Sequence, residues 1–296
     1  MSRLYDALKG AGIFRQEKDS ETEGVWESLG VEGAHVLRTV SDPDVSVDTV
    51  AADEYGMDTL GAEVAENVRD GLVGNRTKVA TDKKSRLLPN AIDPVVAEYY
   101  RRLRTKLIQQ QAEKGFRSLI VTSASPQEGK TVTVLNLGLS FGMLPSFKVL
   151  VVDGDMRKGT LGQWLGVDDG QPGLSNLIDG SAQLEDVVLN ADELSMHFIT
   201  RGNSQVPDLH TSQLQSHFQR MMEHFDLVLV DSPPVNLVAD VQLLAASCDA
   251  VLLVARAFST TRKAYERAVE DLLPFRLIGA VLNAGASEGY AYHDYY

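Results

Sequence analysis

The sequence is poor in what would tie it to an oxidising compartment or a bilayer. It has one cysteine, Cys248, so no internal disulfide can form. That residue lies beside an apolar run, where a small buried side chain is expected. No apolar stretch approaches the ~18 residues of a spanning helix, and no secretory hydrophobic region opens the chain. A cytosolic location is expected, with any membrane connection made through a partner or a surface helix. Positive charge is scarce too. Lys and Arg number 28 against 41 Asp and Glu, a net charge of −13. Nucleic-acid affinity comes from clustered Lys and Arg, so no nucleic acid is expected as main partner. His197, His210, His217 and His224 are too scattered for a catalytic or metal cluster.

What is present is ordinary globular composition, 44% apolar and 23% charged, unevenly arranged. Residues 17–70 hold 15 acidic and 3 basic side chains, whereas residues 71–106 hold 9 basic and 3 acidic ones. The acidic stretch has weak periodicity and breakers such as "SDPD", so it reads as an extension of marginal structure. Before it, Leu4, Ala7, Leu8 and Ala11 stand at helical spacing, a short amphipathic docking helix ending near Gly10 or Gly12. The chain divides accordingly into an N-terminal extension, 1–90, and a folded domain with a tail, 91–296.

From Pro94 the pattern changes. Val96, Tyr100, Leu103 and Leu107 recur at steps of three and four, and the run stops at Gly115, which predicts a helix. Apolar runs then alternate with helical stretches: "SLIVT" (118–122), "KVLVVD" (148–153), "HFIT" (197–200), "DLVLVD" (226–231), "AVLLVA" (250–255) and "LIGAVLN" (277–283). Continuous β-branched and leucine runs suggest strands covered on both faces. Strands separated by helices imply a parallel sheet with right-handed crossovers. The expected fold class is α/β, a mostly parallel P-loop NTPase-like sheet flanked by helices, with a poorly structured N-terminal extension.

The first of these runs feeds Ser125, Pro126, Gln127, Glu128, Gly129, Lys130, Thr131 and Val132, and a helix follows. A nucleotide-phosphate loop requires this strand–loop–helix setting. Backbone N–H groups and a helix N-terminus offer fixed positive charge to phosphates. Lys130 would reach the β- and γ-phosphates, and the Thr131 hydroxyl would bind Mg²⁺. Ala124 stands where the usual G-x-x-x-x-G-K-[ST] pattern has its first glycine, at little cost if its φ is negative. Two other runs end in carboxylates, Asp153 with Asp155, and Asp231. In open α/β sheets ligands lie beyond the carboxyl ends of the strands, where such groups hold Mg²⁺ and its waters. Asn283 ends the last run and contacts either adenine or a strand-end partner.

With these motifs the chain resembles the bacterial tyrosine kinases of capsule and exopolysaccharide synthesis over about residues 90–296. Ser125 to Thr131 match their Walker A motif, "VLVVDGDMRKG" their Walker A′ motif and "LVLVDSPPV" their Walker B motif. Glu98, Arg101 and Arg104 fit an E-x-x-R-x-x-R pattern used there for subunit contact, although Glu98 and Arg101 also suit a local pair on a solvated face. The chain ends in "EGYAYHDYY", with four of its nine tyrosines in seven residues. The resemblance makes Tyr290, Tyr292, Tyr295 and Tyr296 phosphate acceptors. It implies ATP and Mg²⁺ as cofactors, with Lys130, Asp153 and Asp155 catalytic and Thr131, Asp153 and Asp231 on the metal. It also implies a ring-like homo-oligomer, a membrane-embedded co-polymerase-type activator at the inner face of the plasma membrane, and a cognate tyrosine phosphatase. Ala124 and Gln127 replace residues that are often glycine in that family, and "FITRGNSQVPDLHTSQL" lacks the usual Pro-Asn-Pro. Two alternatives stand beside this reading. One is a septum- or partition-type switch ATPase, whose second lysine would fall at Pro126 beside Ser125, neither of them lysine. The other is a nucleotide-gated scaffold without phosphotransfer.

Overall fold

The computed structural model describes residues 35–38, 75–77, 94–168, 170–191, 194–205 and 209–284. The expected docking helix at Leu4–Ala11, most of the acidic arm and the acceptor tyrosines Tyr290, Tyr292, Tyr295 and Tyr296 lie outside these residues. Among the described residues, seven strands of one nine-stranded sheet run in the same direction. In chain order the strands that were legible as apolar runs are β3 (Ser118–Ser123), β4 (Val149–Asp153), β6 (Met196–Ile199), β7 (Leu227–Asp231), β8 (Ala250–Arg256) and β9 (Leu277–Asn283). Three short strands join them: β1 (His35–Arg38), β2 (Asn75–Arg76) and β5 (Leu189–Ala191). The order across the sheet is β1-β9-β8-β3-β7-β4-β6-β5-β2. Every pairing is parallel except β5 with β6. The extension thus contributes a backbone strand at each edge, which its weak periodicity did not reveal.

Side chains alternate along a strand, and here both faces are covered. Ile120, Leu150, Val152, Val228, Val230, Val251 and Leu253 enter one core, packed by the helices Thr211–His224, Asp240–Ser247 and Arg262–Leu272. Leu119, Val121, Val151, Leu229, Leu252 and Val254 enter the other, packed by α1 (Pro94–Lys114) and α2 (Lys130–Gly142). That double burial explains why the runs are continuously apolar rather than alternating.

Helix α1 buries Tyr100, Leu103 and Leu107 and ends at Gly115, whose φ of 68° closes the last turn through its N–H to Gln111 O at 2.8 Å. It docks on α2: the Tyr100 hydroxyl bonds Asn136, and Arg104 donates to the Ser140 carbonyl. Cys248 is half-buried against the first core, where burial pushes its thiol pKa up, so it is an inert packing residue. Among the described residues no helix is long and apolar enough to cross a membrane.

Candidate active site

Strands β4, β3 and β7 lie together at the centre of the sheet, and their carboxyl ends bring the sequence-predicted residues to one place. β3 delivers the loop 124–129 to the start of α2. Ala124 is buried and is not among the residues with positive φ, so the missing first glycine costs little. The left-handed backbone falls instead at Gln127, with φ 63°, and at Gly129, with φ 95°. Only glycine fits at 129. A Cβ there would stand 1.8 Å from the Asn283 amide nitrogen.

Lys130 is 9% exposed at the head of α2, where its charge opposes the burial that raises the pKa of both Glu128 and Asp231. Thr131 donates its hydroxyl to Asp231 Oδ2 at 2.6 Å. The other oxygen of that carboxylate, Oδ1, is buried and makes no hydrogen bond. A buried lone pair left open beside a hydroxyl and a lysine needs a cation or a proton. Burial above all pushes the Asp231 carboxyl up to about 6, against the pull of Thr131 and Lys130, so the group is still mostly ionised at neutral pH but is held so at a cost.

Asp153 faces Asp231 in register on the neighbouring strand. Burial and the Asp231 charge raise its pKa well above the ordinary carboxyl value. Its two oxygens accept the N–H groups of Leu161, at 3.1 Å, and Asp155, at 3.2 Å. Asp153 therefore shapes the turn after β4. Gly159 passes so close that a Cβ would lie 2.4 Å from Asp153 Oδ2. Asp155 is half-exposed above the pair and caps Lys158 N at 2.9 Å, and its charge raises both buried carboxyls.

The donor set is all hard oxygen, which suits Mg²⁺. Among the described residues no three His, Cys, Asp or Glu side chains form a ready metal cage. Mg²⁺ characteristically takes one or two protein oxygens and completes its shell with water and phosphate. Thr131 and the open Asp231 oxygen fit that pattern.

The Ser-Pro-Pro after Asp231 is scaffold: Ser232 donates to Val121 O at 3.0 Å and Thr122 to Pro233 O at 2.9 Å, fastening β7 to β3. Sequence reasoning missed Thr260 and Arg256 altogether. Thr260 donates to Glu128 Oε1 at 2.6 Å, and Arg256 donates to Gln127 O at 3.0 Å. Asn283, expected at adenine or at a strand end, donates its amide to Glu128 O at 2.9 Å and so belongs to the phosphate loop. Glu128 is 1% exposed, so its side chain faces the scaffold rather than a ligand. Of the E-x-x-R-x-x-R residues, Glu98 pairs with Arg101 at 2.5 Å on the exposed side of α1, while Arg104 is turned inward to α2.

No family model matches the chain. Among curated proteins it is similar to the tyrosine-protein kinase CpsD of Streptococcus agalactiae, 30% identical over 205 residues, which make up 67% of this chain and 87% of that one. Among solved structures it is similar to the kinase domain of Escherichia coli tyrosine kinase ETK. That match has a TM-score of 0.63 and 30% identity, and covers 76% of this chain and 89% of that one. The septum site-determining protein MinD from Pyrococcus horikoshii, solved with Mg-ADP, shares the fold less fully. Its TM-score is 0.50 at 24% identity, over 56% of this chain and 69% of that one.

Proposed function

The chain belongs to the family of bacterial tyrosine-protein kinases, and from that premise we propose that it is an ATP-dependent tyrosine autokinase. The observation that carries this reading is the Thr131–Asp231 contact at 2.6 Å with the second Asp231 oxygen open, at the mouth of a strand–loop–helix phosphate site. In this reading residues 91–296 form the kinase domain and residues 1–90 an extension. Ser125 to Val132 enclose the phosphates, and Lys130 lies against the β- and γ-phosphates. Thr131 and Asp231 hold Mg²⁺, with Asp153 fixing the turn that faces them. When bound, Mg²⁺ neutralises charge on the phosphate oxygens.

A tail tyrosine of a neighbouring subunit, Tyr290, Tyr292, Tyr295 or Tyr296, brings its phenol oxygen in line with the γ-phosphorus. The new O–P bond forms as the bond to the β,γ-bridging oxygen breaks, and ADP leaves with that electron pair. The phenol proton passes to Asp155, the accessible carboxylate, and then to water. A phenol of pKa near 10 gives up its proton late, so positioning supplies much of the rate.

Arg101, exposed on α1, and the half-buried Glu98 paired with it suit a contact between subunits of a ring. Phosphate added to clustered tyrosines would separate such a ring by repulsion. The reading extends to control of capsule or exopolysaccharide polymerisation and export. Its partners would be a membrane-embedded activator at the inner face of the plasma membrane and a cognate tyrosine phosphatase.

The test is the mass of the C-terminal peptide after incubation with ATP and Mg²⁺, with and without the activator's cytosolic segment. The expected result is one or more added phosphates, abolished by Lys130→Met and retained in Tyr292→Phe. No phosphate under either condition would leave a nucleotide-gated scaffold instead.

A further inference from the structure

A carboxylate beneath a phosphate site is paradoxical, because its charge repels the ligand. Glu128 is such a group, and at 1% exposure it cannot turn outward to solvent. Burial raises its pKa, and the Thr260 hydroxyl, the Ser125 N–H and the Lys130 charge act against that rise. Its Oε2 accepts Ser125 N at 3.0 Å and its Oε1 accepts the Thr260 hydroxyl at 2.6 Å. Thr260 is itself fixed, since its oxygen accepts Arg256 N at 2.7 Å.

The backbone carbonyls on either side of this grip are also held. Arg256, ending β8, donates to Gln127 O, and Asn283, ending β9, donates to Glu128 O. In a planar trans peptide the C=O of one residue and the N–H of the next point in opposite directions. Pulling the Gln127 and Glu128 carbonyls toward β8 and β9 turns the Glu128 and Gly129 N–H groups the other way, away from those strands. Such a peptide arrangement needs a left-handed residue, and Gln127 supplies it at φ 63° without being glycine. Something must hold that strained residue in place.

We propose that Glu128, clamped between Ser125 and Thr260, is a positioning residue that aims the loop's amide groups at nucleotide phosphates in place of the glycines this loop lacks. The inference rests on the reading of residues 125–132 as a nucleotide site. It assigns a function to Thr260, 132 positions away, that no motif records.

The test uses the full chain, calorimetric titration with Mg·ADP, and thermal melting without nucleotide. Glu128→Ala and Thr260→Val should each weaken Mg·ADP binding about tenfold or more, the scale of a hydrogen bond to a charged group. Glu128→Gln should stay close to the parent, because its amide accepts from Ser125 N and donates to Thr260. The double variant Glu128→Ala/Thr260→Val should bind no more weakly than Glu128→Ala alone. Unchanged affinity with only a lowered melting temperature in both single variants would make Glu128 a purely structural residue and overturn the proposal. So would a Gln variant as weak as the Ala variant, which would mean that charge and not geometry matters. If Glu128→Ala does not fold, Thr260→Val decides alone. A parent protein that binds no Mg·ADP would overturn the nucleotide-site reading first, and is distinguished by failing before any substitution is made.

Discussion

Replacing Asp231 by Asn should make the nucleotide-free protein more stable and the nucleotide-bound one less so. Burial, with the nearby Asp155 charge, pushes this carboxyl from an ordinary value of 3.8 up to about 6, against the pull of Thr131 and Lys130. Each step of one in pKa corresponds to about 1.4 kcal/mol, so ionised Asp231 costs the folded protein ~3 kcal/mol at neutral pH. The sign follows from proton binding. The native state holds the proton more tightly than the unfolded chain, so this group favours folding below pH 4 and loses that contribution as pH rises through 6. Asparagine keeps the acceptor for Thr131 and removes the charge. Its advantage should be ~3 kcal/mol at pH 7.5, about half that at pH 5, and close to zero near pH 3.5. In a domain of this size that is a rise in melting temperature of about 6 °C or more at pH 7.5. Calorimetry with Mg·ADP should show affinity reduced on the order of 10- to 100-fold, the scale of losing a metal partner. Denaturant melts at the two higher pH values read the first effect directly. A variant less stable than the parent at pH 7.5, or an advantage equal at pH 5 and 7.5, would refute the assignment of Asp231 as an ionised buried carboxylate awaiting a cation.

Two smaller predictions use the same reasoning on the backbone and on α1. Gln127→Gly removes a left-handed strain of about 1–2 kcal/mol and adds about 0.5–1 kcal/mol of unfolded-chain entropy, so a modest net stabilisation is expected in a melting experiment. A fall in melting temperature would show that Gln127 makes a compensating contact. Arg101→Ala breaks only an exposed pair with Glu98 and should change monomer stability by about 0.5 kcal/mol or less, whereas Arg104→Ala removes a part-buried bond to Ser140 O and should cost about 1–3 kcal/mol. Sedimentation and denaturant melts on the two variants separate subunit contact from folding. Loss of self-association in Arg101→Ala at unchanged stability supports the contact role of that residue.

These predictions depend on residues of unequal legibility. The six buried strands could be read from the chain because both of their faces meet apolar layers, so the runs are unbroken. β5 could not: its three residues, Leu189, Asn190 and Ala191, are too few for any period to show. The strands at 35–38 and 75–76 join the sheet edges from a stretch whose sequence has only weak periodicity. At the site, Lys130, Thr131, Asp153 and Asp231 announce themselves because each closes a local strand-and-turn motif. Thr260 and Arg256 do not, because each meets the loop from 129 or more positions away. Arg104 shows the same limit: its spacing from Glu98 and Arg101 places it near them on α1, and nothing in that spacing says that α2 lies within reach.

Several unfavourable features meet at the carboxyl end of the central strands. Asp153 and Asp231 are buried and face each other, Asp231 Oδ1 makes no hydrogen bond, Gln127 is left-handed, and Glu128 is a buried carboxylate. No comparable conflict is needed to hold the sheet, whose two cores are continuous and apolar. A site of this kind is stable only because the strands beneath it are, and it is relieved by the same ligand it suits. A divalent cation answers Asp231, while phosphates answer the amide groups that the Glu128 clamp turns outward. Relief of that conflict adds to the ligand's affinity, and through that affinity ligand binding stabilises the folded protein. Asp231→Asn inverts that relation, since it removes the conflict and the reason for the ligand together.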